Sequence, residues 1–288
     1  MLRKATDADI LQYRDYAYQL SQSFTTSSFP TYLDGIKTRE DFYEEASRKD
    51  RSELLLFEQE RVLGWIHSYW EEEERFIGFY SFLTEKRVEE AIDEFLAYAG
   101  ERFAGYQIDF GFPAENVRAA AHLQKCGFTL GEESDVFVLH FKDYEPKAEE
   151  ACIRDVTPEN WDGFKQLHDR YTDMYWNSER LHKALLGQVR RPWHFHIYYR
   201  GGQPAAAIYY VFVDSFMEIF GVDFAEERYD PAIFQALFVR ALNHSKACGM
   251  TDMTYFSEGE ENEVLEKLGF RYITKYVLYW NRETVLNG

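Results

Sequence analysis

The sequence is short of the residues that usually announce a chemistry. Three cysteines among 288 residues, Cys126, Cys152 and Cys248, are an odd number without CxxC spacing, which excludes a disulfide scaffold and a zinc knuckle. Bases are scarce beside acids, 32 against 50, with a formal charge of −18. Affinity for phosphate polymers comes mostly from Lys and Arg, so a nucleic-acid partner is excluded, and an anionic membrane surface is disfavoured for the same reason. A small cationic amine, by contrast, would be attracted. No apolar run reaches the roughly 20 residues of a membrane span; Gly201 to Val213 is broken by Gln203 and Pro204. The opening stretch MLRKATDADILQYRDY has no apolar signal core, and reduced cytosol is the expected compartment. There is no P-loop, dinucleotide fingerprint or Ser-His-Asp order, and Gly201-Gly202 reads as a hairpin turn.

Aromatic residues are abundant, at 18%, which suits packed sheets and a cleft for an organic ligand. The length allows two domains, each with its own core, and an internal repeat supports that division. The phrase NVRAAAHLQKCGF, Asn116 to Phe128, returns as NEVLEKLGF, Asn262 to Phe270, with Gly127 and Gly269 displaced by 142 positions. Each reads as a short helix closed by a glycine and released into a strand. The same displacement relates the apolar stripe Ala91, Ile92, Phe95, Leu96, Ala99 to Ile233, Phe234, Leu237, Phe238, Ala241.

Read in order, each copy opens with a short strand and a capped helix, with Thr6 as cap in the first and Pro158 in the first helical turn of the second. A hairpin follows, Leu54 to Phe57 with Val62 to Tyr69, and His196 to Tyr199 with Ala205 to Val213. Third strands are expected at Arg75 to Phe82 and Phe216 to Asp223. Fourth strands are expected at Tyr106 to Phe110 and Met253 to Phe256, and closing strands at Val136 to Phe141 and Tyr272 to Trp280. The first copy carries extra length in Ser21 to Lys37, read as a loop over a cleft. The polar stretch DYEPKAEEA reads as a linker. The expected domains are therefore 1–142 and 152–288, joined by 143–151.

This order of elements resembles the GNAT superfamily of acyl-CoA-dependent N-acyltransferases in two tandem copies, an α/β fold with mixed sheets. The last helix carries the most specific likeness, with Asn116, Ala119, Gly127 and Phe128 at family positions. The resemblance implies transfer of an acyl group, expected to be acetyl from acetyl-CoA, to an amine. Backbone N–H groups at a splayed strand end would polarise the thioester. In the family a basic, glycine-rich turn at the start of the following helix receives the pyrophosphate.

Two departures stand out. The glycine positions of that turn hold Ala232 and Phe234 in the second copy and Glu90 and Ile92 in the first, while Asp230 before Pro231 reads as an N-cap that would occupy the donors a phosphate needs. The acid position often held by Tyr is Leu123 in one copy and Leu265 in the other.

The candidate site lies in the second copy, because Glu85, Glu89 and Glu90 crowd the helix start of the first. Glu218 and Asp223 on the third strand are candidate bases, since a carboxylate desolvated on a strand can approach neutrality. Tyr255 is the candidate acid. By the resemblance, Val222 and Phe224 supply backbone groups to the acyl-CoA, with Tyr80 and Phe82 as their first-copy equivalents. The cofactor helix start contributes Tyr229, Asp230, Ala232, Ile233 and Phe234. Tyr171, Met174, Tyr175 and Trp176 are candidates for the acceptor pocket, with the amine expected between the copies. His194 and His196 share a strand face as a metal pair would, but no spacing places a third ligand, so no metal is expected. The alternative is a catalytically inactive GNAT-like ligand-binding or protein-interaction module. Charged tRNA as donor is disfavoured by the acidic balance.

Overall fold

The repeated phrase folds as two helices with the same ending. In the computed structural model, which describes residues 1–28, 38–172, 174–189, 191–226 and 228–281, α4 (Val117–Lys125) and α8 (Asn262–Leu268) each run into a left-handed glycine, Gly127 at φ 87° and Gly269 at φ 99°. Gly127 and Phe128 donate to the carbonyls of Gln124 and Leu123 at 3.2 and 3.0 Å, and Gly269 and Phe270 donate to Glu266 and Leu265 at 3.0 Å each. This double bond pattern satisfies the last carbonyls and needs a residue without Cβ at the turn. It also swings Phe128 and Phe270 into their cores, each burial contributing roughly 1.5–3 kcal/mol.

The first copy comprises β1 (Leu2–Lys4), α1 (Asp7–Ser21), α2 (Arg39–Ala46), β2 (Ser52–Glu58), β3 (Val62–Glu71), β4 (Phe76–Thr84), α3 (Val88–Arg102), β5 (Gln107–Pro113), α4 and β6 (Thr129–His140). The second comprises β7 (Ile153–Asp155), α5 (Trp161–His168), α6 (Ser178–Leu185), β8 (Trp193–Arg200), β9 (Gln203–Val213), β10 (Phe216–Phe224), α7 (Pro231–Ala247), β11 (Asp252–Ser257), α8 and β12 (Arg271–Asn281). The α/β class and the element order agree with the sequence reading. Helices α2 and α6 were not expected. Thr6 caps α1 as expected, in a box with Asp9. Pro158 instead precedes α5, where the Thr157 N–H is held by the Asn160 side chain at 2.7 Å. Residues 29–37 of the expected cleft loop lie outside the described residues. Among those described, no helix is long and apolar enough to cross a membrane.

Packing divides the chain into residues 1–136 with 273 onward, and Phe137–Tyr272. The expected boundaries at 1–142, 143–151 and 152–288 follow the repeat of elements, whereas the packing units trade their closing strands. In the first unit the order is β1-β2-β3-β4-β5-β12-β6, with β12 antiparallel to β5 from Tyr276↔Pro113 to Asn281↔Ile108. In the second it is β6-β11-β10-β9-β8-β7, with the later part of β6 beside β11. Helices α3 and α4 pack on the first unit's core around Phe82, Phe95 and Phe110. Helices α7 and α8 do so in the second around Phe234, Phe238 and Leu265. The polar stretch 143–151 lies against α7: Tyr144 is buried and donates to Asn243 Oδ1 at 2.9 Å, and Glu149 pairs with Arg240 at 2.7 Å.

Candidate functional site

Each unit contains one parallel strand pair that opens almost as soon as it forms. Strand β4 meets β5 only at Phe76↔Gln107 and Ile77↔Ile108, and β10 meets β11 only from Phe216↔Asp252 to Glu218↔Thr254. Beyond these pairs one edge of β4 and of β10 has no neighbouring strand among the described residues. A bulge sits just past each opening, skipping Tyr80 between β3 and β4 and Phe220 between β9 and β10. Bulges bend and twist a strand, and here they direct the unpaired edge. Gly221 beside the second bulge is required by close approach, since a Cβ there would lie 2.3 Å from the Tyr209 hydroxyl.

The bulges correct the expected equivalence. The turn before β4 is two residues longer than the turn before β10, so Val222 and Phe224 correspond to Phe82 and Thr84 rather than to Tyr80 and Phe82. Antiparallel pairing alternates donors between the two edges of a strand. The Ala225 N–H bonds the Ala205 carbonyl on the β9 side at 2.9 Å, so Val222 and Phe224 direct theirs into the opening. In the first unit Glu85 N–H faces Leu63 in the same way, and Phe82 and Thr84 face the opening.

The two openings are filled differently. In the first unit the segment after α1 closes the gap: the Phe82 N–H donates to Ser28 Oγ at 2.7 Å and the Thr84 N–H to the Thr26 carbonyl at 3.3 Å. Ser27 and Ser28 are buried there. In the second unit Phe224 N–H donates to the Tyr171 hydroxyl at 3.1 Å, and none of the described loop or side-chain groups is bonded to the Val222 N–H.

Solved structures share this fold. The chain is similar over 98% of its length to a GCN5-related N-acetyltransferase from Sphaerobacter thermophilus, covering 95% of that chain at 11% identity with a TM-score of 0.67. It is similar to a tandem GNAT protein from the clavulanic acid biosynthesis pathway, over 98% of both chains at 11% identity and TM-score 0.61. A GNAT-family acetyltransferase from Colwellia psychrerythraea matches over 97% of this chain and 98% of its own, at 12% identity and TM-score 0.51. No protein-family model and no curated protein matches the sequence. The fold is that of the GNAT acyltransferases.

In a GNAT fold the helix after the splayed strand would receive the pyrophosphate, and here that end of α7 is taken. Asp230 Oδ1 accepts the Ala232 and Ile233 N–H groups at 3.1 and 3.2 Å, and its Oδ2 pairs with Arg200 at 2.7 Å. The Arg200 bond, reinforced by these amides, holds the Asp230 carboxyl below its usual range. Ile233 and Phe234 are buried, with Phe234 stacked on Phe238 at 4.2 Å. An aromatic ring therefore fills the space that two glycines would leave open, while Ala232 is exposed.

Tyr229 and Tyr255 flank that ring, at 5.5 and 6.0 Å from Phe234. Burial, with nearby Glu261 and Glu260, raises the Tyr229 phenol to about 12. Its hydroxyl is buried without a hydrogen-bond partner among the described residues. Burial, with Glu261 and Glu258, raises the Tyr255 phenol as well, so both are protonated donors at neutral pH.

Asp223 is not on an open face. It is buried at 3% exposure and bonded to His168 Nδ1 at 2.7 Å, while His168 Nε2 bonds the Trp176 carbonyl at 2.7 Å. Burial raises the Asp223 pKa against the opposing His168 bond. Burial also opposes the His168 imidazolium, but the Asp223 bond and charge outweigh it and raise the pKa. The pair anchors α5 and the segment after it to β10. His168 carried no sequence signal, being 55 positions from Asp223. Glu218 is half-buried at the last paired position of β10, where the strands part.

Of the expected acceptor residues, Tyr171 lies at Phe224, Met174 and Tyr175 are exposed, and Trp176 packs on Trp193 and Phe220. His196 uses both ring nitrogens, on Asp155 and the Tyr210 hydroxyl at 2.8 Å each. His194 is driven down to about 4 by burial and by His244 and His196.

Proposed function

We propose that the second unit transfers an acyl group from an acyl-CoA, acetyl-CoA being the simplest donor, to a small cationic amine. One observation carries this reading: the Val222 N–H faces the β10–β11 opening without a bond from the described loops or side chains, whereas both equivalent donors of the first unit are taken. A preorganised amide at that point can polarise a thioester carbonyl and stabilise the oxyanion that forms there. The buried, unpartnered hydroxyl of Tyr229, whose ring lies 6.0 Å from that of Phe224, supports the presence of a polar ligand, because a buried donor left without a bond costs about 1–3 kcal/mol.

In this reading the ammonium first releases one proton to solvent, and Glu218 takes a second as the freed nitrogen attacks the carbonyl carbon. The C–N bond forms, the C–S bond breaks, and the protonated Tyr255 returns a proton to the departing sulfur. Asp223 positions α5 through His168. The net negative charge draws the cationic acceptor, and three free cysteines suit a reducing compartment such as the cytosol.

The occupied start of α7 supports a second reading, in which the unit binds a ligand without catalysis. The pyrophosphate would then lack its usual amides, and the donor would be held chiefly through its pantetheine arm.

The test is calorimetric titration with acetyl-CoA of the unaltered protein and of Val222→Pro, which removes an N–H that points away from β9, although Val222 itself stands opposite Ile208. One site per chain is expected, with turnover of an amine falling about 100-fold or more in the variant. No heat and no thermal shift at millimolar acetyl-CoA would end the enzymatic reading. Binding without turnover on any amine of a broad panel would favour the inactive module.

A further inference from the structure

Three side chains of the first unit converge where α3 meets α4, one exposed and two half-buried. Asp93 projects from α3, and His122 and Cys126 project from α4 four residues apart, which places them on one helix face. His122 Nε2 lies 2.7 Å from Asp93 Oδ1, and Cys126 Sγ lies 3.8 Å from the same oxygen. All three donor atoms fall within 4.8 Å of one another.

The pattern is not that of a nucleophilic relay. In a relay the thiol would bond the imidazole and the imidazole the carboxylate; here both point at one oxygen. Without an ion the His122 and Cys126 groups bond the Asp93 carboxylate, and the three donor atoms stay close enough together to close around one cation.

We propose that Asp93, His122 and Cys126 bind a single divalent ion of the zinc class, leaving a fourth position for water. One nitrogen, one sulfur and one oxygen donor match the borderline ligand preference of such ions and the three-ligand form of an open tetrahedral site. Binding displaces the thiol proton of Cys126 to solvent and forms the metal–sulfur bond. His122 coordinates through Nε2 and keeps its proton on Nδ1. Drawing the set onto an ion asks for side-chain shifts of about an ångström, since metal–ligand bonds are near 2.0–2.3 Å. The Arg118 guanidinium, on the same helix, is neutralised by Glu89 through two bonds of 2.7 and 2.8 Å. An ion here ties α4 to α3 and fixes the helix whose glycine turn launches β6.

The probe is cobalt(II) alone, added to the full chain, with zinc(II) as competitor. One cobalt per chain is expected, with a thiolate-to-cobalt charge-transfer absorption that Cys126→Ser abolishes and Cys248→Ser retains. Asp93→Ala, at an exposed position, should weaken binding about tenfold or more. Zinc should raise the melting temperature of the unaltered chain and leave that of Cys126→Ser unchanged. Absence of a thiolate band in the unaltered chain overturns the proposal, and so does a band that survives Cys126→Ser.

Discussion

The two units have closed opposite ends of the same kind of cleft. In the first, Ser28 and Thr26 take the strand amides of Phe82 and Thr84, while the start of α3 has no side-chain cap and is flanked by Glu89 and Glu90. In the second, the Val222 amide still faces the opening, while Asp230 takes the amides at the start of α7. The strand edge that would meet a thioester and the helix start that would meet a pyrophosphate are thus separable parts of one seat. A duplicated fold can keep either one without the other. The second unit keeps the part that would meet a thioester carbonyl, and on that ground it is the proposed site.

The sharpest way to separate the units in solution is acid. His67 in the first unit is buried, with its Nε2 unpartnered, and burial together with the nearby Arg48 charge brings it down to about 4. The unfolded chain takes up this proton near pH 6.5, before the folded chain does. The stability His67 allows is therefore complete above pH 6.5, is lost as the pH falls toward 4, and is constant below that. The loss amounts to up to about 3 kcal/mol. His67→Leu should flatten the first unit's melting temperature across that range. His194 of the second unit is half-buried and screened by water, so His194→Leu should flatten its unit less. Equal slopes for the two variants would break this comparison.

Next in size is the plug itself. Ser28→Ala leaves the buried Phe82 N–H without its partner and should cost about 1–3 kcal/mol, read as a lower melting temperature for the first unit. Acetyl-CoA stoichiometry should remain one per chain. A rise to two would mean that Ser28 alone seals the first opening.

The smallest effect carries opposite signs in its two readouts. Asp230→Ala removes the α7 cap and should lower stability by about 1 kcal/mol. It should also tighten acetyl-CoA binding severalfold, because two amides become available and a negative charge leaves the helix start. Unchanged affinity would show that the donor's phosphates do not approach α7.

How much of this was legible follows from the range of each interaction. The glycine turns at Gly127 and Gly269 and the Asp230 cap are written in residues two or three apart, and the structure contains them as read. Helices α2 and α6 were missed because eight residues give too few turns for a periodic apolar pattern, and their polar sequences, REDFYEEA and SERLHKAL, resemble loop. The equivalence of Val222 to Tyr80 failed because a constant offset does not register a turn that differs by two residues. Ser28 on Phe82 and His168 on Asp223 join positions more than fifty residues apart. Nothing in the intervening sequence marks such a bond, and no local rule could have found it.

The position of β12 beside β5 bears on the order in which the protein is made. Everything the second unit requires has left the ribosome once Tyr272 emerges, but the first unit waits for the part of β12 from Ile273 onward. The half synthesised first is thus the half completed last, and until then β5 presents an unpaired edge of the sort that recruits foreign strands. A nascent chain arrested with Tyr272 just outside the ribosome and the rest of β12 still within it would hold a finished second unit and an unfinished first, which limited proteolysis of arrested chains can read directly.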